Sequence, residues 1–144
     1  MFDDSALRLR IYEDILRTSE VPKVAKLAAD FKVAVEDIRA ALRRMHDAHM
    51  LVLQPSGDVL MANPFSAVPT SFVTEVGDRR WFGNCIWDAL GILATLRADG
   101  RVVTSCACCG DAMVLTVHDG VLGGGGVLHF AVSARRWWDD IVFN

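Results

Sequence analysis

The 144-residue sequence contains no apolar run that approaches the length of a membrane-spanning helix. Such a helix needs about 20 consecutive apolar residues. The first residues, MFDDSALRLR, place acidic side chains at the start and show no apolar core of a secretory signal. These absences predict a cytoplasmic protein with no membrane partner, in a compartment where thiols stay reduced.

The net charge is also small, and the cysteines are few. The formal net charge is −3, which provides no general attraction to nucleic acid or to an anionic membrane. The four cysteines, in a reducing compartment, favour metal binding or catalysis over disulfide formation. Hydrophobic residues make up 52% of the chain and the mean hydropathy is +0.28, so most of the chain should pack into a core. The length fits one ordinary domain or two very small ones that share an interface.

Residues 1–65 have the pattern of a winged-helix-like module. Apolar residues at helical spacing predict three helices, around residues 7–16, 22–31 and 35–49. Two short apolar strands follow, MLVLQ and VLMAN, joined by the turn residues PSGD. The order of three helices and a hairpin is that of a winged helix.

The charges of this module argue against DNA binding. Residues 1–65 hold nine Lys and Arg and ten acidic residues, a net charge of −1. The third predicted helix, which would be the recognition helix, begins with Glu36 and Asp37, where bases and phosphates would lie. The turn at 55–58 has no basic residue to grip a phosphate backbone. The sequence therefore favours a packing module, and His46 and His49 are expected to be surface residues of the third helix and no metal pair.

Residues 66–144 read as a small α+β domain after a linker, NPFSAVPTS. A helix is predicted after Cys85, and short runs rich in β-branched residues predict strands at 72–76, 101–105, 112–117, 127–132 and 141–143. Gly120–Gly126 predicts a flexible loop without the features of a phosphate-binding loop. Trp137 and Trp138 are expected to be buried against the sheet, and His129 in the core. The fold class is thus α+β: a winged-helix-like module, 1–65, packed on a small mixed or antiparallel sheet domain with one main helix, 66–144.

A cysteine and an aspartate lie three residues apart in FGNCIWDALGILATL. Asn84 is a favoured N-cap, which puts Cys85 in the first helical turn, where backbone N–H groups and the helix dipole stabilise a thiolate. Asp88 shares that face. A neighbouring thiolate would raise the pKa of the Asp88 carboxyl and prepare it to hold and deliver a proton. The spacing alone favours the plainer interpretation, a packed cysteine and an aspartate that satisfies the helix dipole.

Three further cysteines, Cys106, Cys108 and Cys109, cluster in TSCACCGDAM. Cys106 and Cys109 have the CxxC spacing of a metal knuckle, which is half of a zinc site. Cys85 could supply a fourth sulfur if the fold brings it there. A redox pair, or a trap for thiophilic Hg(II), Cu(I) or Cd(II), are the alternatives.

The segments NCIWDALGI, TSCACCGDAMVLTV and HFAVSARRWWDDIVF together resemble the alkylmercury (organomercurial) lyase family. The resemblance covers most of residues 70–144, and the N-terminal half in outline. It implies protonolysis of a carbon–mercury bond, in which two cysteine thiolates capture the organomercury cation, an acidic residue relays the proton and Hg(II) passes to small-molecule or protein thiols. Cys85 matches the first of these cysteines and Asp88 the acidic residue. Cys106 matches a family cysteine that looks structural. The resemblance implies no required cofactor, with Hg(II) as substrate or product ion and zinc or copper as candidates at the cysteine cluster.

The sequence departs from the family at its end. A second catalytic cysteine is expected just after the last strand, where this chain reaches Val142, Phe143 and Asn144. Three hypotheses account for the difference. The chain was cut or misread there, for example at a UGA codon that encodes selenocysteine; Cys108 or Cys109 acts as the second ligand; or the protein no longer cleaves organomercurials.

The sequence therefore supports three functions in order. The first is an organomercurial-lyase-like enzyme acting on a small organometal through Cys85 and Asp88. The second is a non-catalytic thiol site for zinc, copper or mercury, formed by Cys85, Cys106, Cys108 and Cys109. The third is a metal-responsive transcription regulator, against which the acidic N-terminal half argues.

Overall fold

The structure is a computed structural model, and it describes residues 3–142. In these residues the helices are α1 (Asp4–Thr18), α2 (Val24–Phe31), α3 (Val35–Asp47) and α4 (Ile86–Leu96), with a 3-10 helix at Ala134–Asp139. The strands are β1 (Val52–Leu53), β2 (Val59–Ala62), β3 (Phe65–Ser66), β4 (Val73–Val76), β5 (Arg79–Phe82), β6 (Gly100–Ser105), β7 (Ala112–His118) and β8 (Val121–Gly123). No helix in residues 3–142 is long and apolar enough to cross a membrane.

The first part has the predicted order of three helices and a hairpin. Strands β1 and β2 pair antiparallel, and β3 adds a third strand on β2. Each helix packs one apolar face into the core, because its apolar residues recur every three or four positions along the chain. The fully buried side chains on these faces include Leu7, Ile11 and Ile15 of α1, Leu27 of α2, and Ile38, Leu42 and Met45 of α3.

The second part is a five-stranded antiparallel sheet in the order β5-β4-β6-β7-β8, with α4 packed on one face. Ala89 and Leu93 of α4 pack with Val102 of β6. The buried Thr74 hydroxyl of β4 donates a 2.8 Å hydrogen bond to the Ala89 carbonyl, which fixes the helix on the sheet. The α+β prediction is therefore confirmed.

The two predicted parts share one core. Trp81 of β5 and Ile92 of α4 belong to the same buried cluster as the apolar residues of α1, α2 and α3. The Trp81 indole also donates a 2.9 Å hydrogen bond to the Ile15 carbonyl of α1. The segment NPFSAVPTS was predicted to be a linker, and this prediction is wrong for its first residues. Phe65 is buried between Tyr12 and Trp81, and it forms strand β3 with Ser66.

Two predicted strands are not formed in the described residues. Residues 127–132 lie outside the sheet, which ends at β8. The reason is the glycine run that precedes them: Gly124 and Gly126 adopt φ values of +107° and +138°, which turn the backbone away from an extended course. Ile141 and Val142 lie in a turn after the 3-10 helix, and Phe143 lies outside the described residues. Part of the predicted flexible loop, Val121–Gly123, is instead strand β8.

The histidine and tryptophan predictions of this region also change. His129 is exposed and not in the core, because the segment that carries it is not a sheet strand. Trp137 packs on Phe130 and Trp138 stacks on His49 with ring centroids 4.2 Å apart, so both tryptophans are half-buried and neither is buried under the sheet. His46 contacts the Leu51 carbonyl through Nδ1.

Candidate active site

Cys85 lies at the N-terminus of α4. The helix begins one residue later than the sequence predicts, so Cys85 precedes its first turn. Cys85 and not Asn84 is the N-cap residue, with φ −147° and ψ −178°, and its carbonyl accepts the Ala89 N–H at 2.9 Å. Unpaired N–H groups at a helix N-terminus favour a negative charge. The helix N-terminus therefore favours a thiolate at Cys85, in opposition to the effect of burial.

Gly83 allows α4 to begin this close to the sheet. A Cβ at position 83 would lie 2.6 Å from the Ala89 nitrogen and 2.8 Å from the Ala89 Cα, both backbone atoms of α4. The Gly83 backbone is held on both sides, since its N–H donates to the Phe72 carbonyl and its carbonyl accepts the Thr70 hydroxyl. The segment before Cys85 is thus fixed against β4 and α4.

Asn84 connects Asp88 to the first part of the molecule. Its Nδ2 donates to Asp88 Oδ2 at 3.0 Å, to Asn63 Oδ1 at 3.1 Å and to the Pro64 carbonyl at 3.4 Å. Its Oδ1 is buried and has no hydrogen-bond partner among the residues that the structure describes. The sequence indicated Asn84 as a cap. Its contact with Asp88 spans only four residues, whereas its contacts with Asn63 and Pro64 are distant in sequence and were not predicted.

Burial governs the acidity of the pair. It raises the pKa of the Asp88 carboxyl, and the hydrogen bond from Asn84 opposes this rise in part. Burial likewise raises the pKa of the Cys85 thiol, and the charge of Asp88 raises it further. Hydrogen bonds from the backbone N–H groups of Asp88 and Trp87 lower this pKa and offset part of the rise. The sequence predicted the raised carboxyl pKa but gave the wrong cause, since removal from water and not thiolate repulsion produces it.

The other three cysteines lie in the loop between β6 and β7. Cys106 is half-buried, while Cys108 and Cys109 are exposed. Backbone N–H groups of Cys109 and Cys108 lower the pKa of the Cys106 thiol. The Asp111 N–H favours the Cys109 thiolate, but contacts with the Asp111 and Cys106 side chains outweigh it and raise the pKa of Cys109.

The structure does not gather the four thiols at one point. Within residues 3–142, no three cysteine sulfurs come within 4.8 Å of one another, and no carboxylate or imidazole completes such a set with them. Cys85 lies at the start of α4, whereas the other three cysteines lie in the loop between β6 and β7. The hypothesis that Cys108 or Cys109 serves as a second ligand beside Cys85 remains a prediction.

One further group of ligand-type side chains was not indicated by the sequence. Asp99, His118 and Asp119 lie close together at the surface, and His118 Nδ1 is 2.5 Å from Asp99 Oδ2. The Asp119 N–H donates to Asp99, and this bond, followed by the His118 contact, lowers the pKa of Asp99. These bonds tie the segment after α4 to the turn between β7 and β8, which is a sufficient structural role.

Comparison with known proteins now decides the family. The family model described as MerB, alkylmercury lyase, matches residues 65–143, which is more than half of the chain. The chain belongs to the alkylmercury lyase family. The family predicted from the three sequence segments is thereby confirmed.

A solved structure also resembles this alkylmercury lyase family member. It is described as the crystal structure of the mercury-bound form of MerB2, and it superposes with a TM-score of 0.65 at 21% identity. At that identity the likeness is one of fold. The match covers 83% of this chain and 58% of that one, so the chain spans little more than half the length of that protein. No curated protein matches the sequence.

The family match includes Cys85, Asp88 and the three loop cysteines. It does not assign their roles, so the catalytic and metal-binding residues remain predictions. The alkylmercury lyase family fixes the class of chemistry to be considered, and the geometry of this chain must suggest which side chains perform it.

Proposed function

We propose that this chain cleaves carbon–mercury bonds by protonolysis, with Cys85 holding the mercury and Asp88 supplying the proton. The observation that carries the proposal is the Asp88 carboxyl, whose pKa is raised by burial, three residues from a thiol at the same helix N-terminus. A carboxyl whose pKa is raised holds its proton to higher pH, which suits a general acid. The alkylmercury lyase family gives the substrate class, a small organomercury cation.

The first step is capture of the substrate. The Cys85 thiol loses its proton to solvent and its sulfur binds the mercury of R–Hg⁺, so a sulfur–mercury bond forms while the mercury–carbon bond stays intact. Mercury is thiophilic and favours sulfur over the oxygen and nitrogen ligands nearby. The N–H groups of Asp88 and Trp87 at the start of α4 stabilise the negative sulfur before capture.

The second step is protonolysis. The Asp88 carboxyl gives its proton to the carbon, and the electron pair of the carbon–mercury bond becomes the new carbon–hydrogen bond. The hydrocarbon R–H leaves, Hg(II) stays on Cys85 and a carboxylate stays on Asp88. The Asn84 amide donates to that carboxylate at 3.0 Å, and the N-terminus of α4 favours its charge.

Release needs thiols from outside the site. Hg(II) on one sulfur takes further thiolates, and small-molecule or protein thiols in a reducing cytoplasm would supply them and carry the ion away. The cycle uses mercury as substrate and product and needs no cofactor. Solvent returns the proton to Asp88.

Benzene release from a phenylmercury salt in excess low-molecular-weight thiol tests the proposal. The wild-type chain is expected to release benzene above the thiol-only rate, and Cys85→Ser is expected to reduce release to that rate. Cys108→Ser, which changes an exposed loop thiol, is the matched control. Absence of release by the wild type, with Cys85→Ser binding phenylmercury as well as the wild type does, would contradict the proposal.

A further inference from the structure

The loop between β6 and β7 has the backbone of a closed metal knuckle. The Cys106 N–H donates to the Asp111 carbonyl at 2.8 Å, and the Gly110 N–H donates to the Cys106 carbonyl at 2.8 Å. Gly110 has a φ of +77°, a conformation that glycine adopts without strain. Ser105 and Ala112 pair directly below the loop, so the two strands hold its ends.

Both sulfurs of the CxxC pair are directed toward backbone N–H groups of this loop. The Cys106 sulfur interacts with the N–H groups of Cys109 and Cys108 and with the thiol of Cys109. The Cys109 sulfur interacts with the N–H of Asp111. Cys108, between them in sequence, is exposed.

We propose that Cys106 and Cys109 form a two-sulfur site for a soft cation, of the Hg(II) or Cu(I) class, separate from Cys85. The two sulfurs are within contact of each other across the knuckle. Within the described residues no third cysteine, histidine or carboxylate approaches both of them to 4.8 Å. Two thiolates suffice for a soft cation, whereas a structural zinc site requires four ligands.

The site does not rest on the proposed lyase activity. Binding replaces the two thiol protons, which go to solvent, by two metal–sulfur bonds, and no electron is transferred. It differs from the expectation of a single four-thiol site in its ligands: the proposed set is Cys106 and Cys109, without Cys85 and Cys108.

The test uses the full chain with Cys85→Ser, reduced, with about one equivalent of Hg(II) and a monothiol competitor. Free thiols are then alkylated and mapped by mass spectrometry. Protection of Cys106 and Cys109 with full alkylation of Cys108 is expected. A thiolate-to-mercury ultraviolet band should persist in Cys108→Ser and be lost to the competitor in Cys106→Ser and in Cys109→Ser.

Two results would overturn the proposal. One is alkylation of all three loop cysteines in the presence of Hg(II); the other is protection that includes Cys108 in place of Cys106 or Cys109. Stoichiometric zinc that survives a chelator would also contradict it, because it would require ligands that the loop does not bring together. Because the mapping needs no substitution in the loop, the test remains decisive if a loop variant fails to fold.

Discussion

At the scale of single residues, the chemistry depends on what surrounds Asp88. Its carboxyl is partly removed from water, which favours the protonated form, while one amide hydrogen bond from Asn84 favours the ionised form. Burial thus holds the proton on Asp88 to higher pH than usual, and the Asn84 hydrogen bond stabilises the carboxylate after transfer. The residue pair was visible in the sequence, but the burial and the amide contact that decide its acidity were not.

Replacement of Asn84 by Ala tests this balance. Loss of the Nδ2 donor should raise the pKa of Asp88 further, so the protonated form persists to higher pH. With phenylmercury already bound, the rate of benzene release falls as pH rises through the pKa of Asp88. This fall should move to higher pH, because the ionised carboxylate loses a hydrogen bond that favours it. Rapid-quench rates across pH measure it.

Gln54→Ala is the control for Asn84→Ala, because it removes a side-chain amide that donates to the Val59 carbonyl in the first part of the chain. That variant should keep the wild-type pH profile. An unchanged profile in Asn84→Ala would show that Asp88 is not the proton donor, or that Asn84 does not control it.

At the scale of secondary-structure elements, α1 and α2 are joined by a buried charge. The Asp14 side chain is buried, and Lys26 of α2 donates to it at 2.7 Å. Burial opposes ionisation of Asp14, but hydrogen bonds from Lys26 and Arg17 prevail and lower its pKa to about 2. The helices were predicted from apolar spacing, whereas this contact between them has no pattern in the sequence.

Asp14→Asn should destabilise the fold in a pH-dependent way. Because the folded pKa lies below the ordinary value of 3.8, the stabilisation is present above that value and is lost as pH falls toward about 2. Its size at neutral pH should be about 1–2 kcal/mol, since solvent screens the exposed ends of the partner cations. Urea unfolding at neutral and at acidic pH measures the difference.

Asp78→Asn, at an exposed turn between β4 and β5, is the control and should match the wild type at both pH values. A loss of stability in Asp14→Asn that is equally large at neutral pH and near pH 2 would mean that packing and not charge explains the effect.

The same scale shows why strands were harder to predict than helices. β4, β6 and β7 were recognised because β-branched residues lie between turn residues, and the register of β7 puts Leu115 and Val117 toward α4. Residues 127–132 have the same composition and form no strand, because the preceding glycines redirect the chain. A local pattern identifies a segment able to form a strand; pairing with neighbours decides whether it does.

At the scale of the whole molecule, the two predicted parts are linked through the site. Asn63 and Pro64, between β2 and β3, accept hydrogen bonds from Asn84, and Trp81 packs into the core of the first three helices. We infer that the winged-helix-like part acts as a packing module for the site. The charges agree with this inference, since Glu36 and Asp37 occupy the first turn of α3.

The whole molecule also shows which features could be predicted from the sequence and which could not. The α+β class, the helix–hairpin order and the family follow from spacing and from three short segments. The shared core does not, because Phe65, Trp81 and Ile92 meet the helices through contacts distant in sequence. That no three cysteine sulfurs lie within 4.8 Å of one another in residues 3–142 is likewise a property of the folded chain.

The most direct measurement of the central claim is a single turnover with Asp88→Asn. The variant keeps the side-chain volume and an acceptor for Asn84, but has no proton to give. It should bind phenylmercury on Cys85 with wild-type stoichiometry and release benzene at the rate of the thiol-only reaction, while the wild type releases one benzene per bound phenylmercury. Release at the wild-type rate by Asp88→Asn would show that the proton comes from elsewhere and would contradict the account.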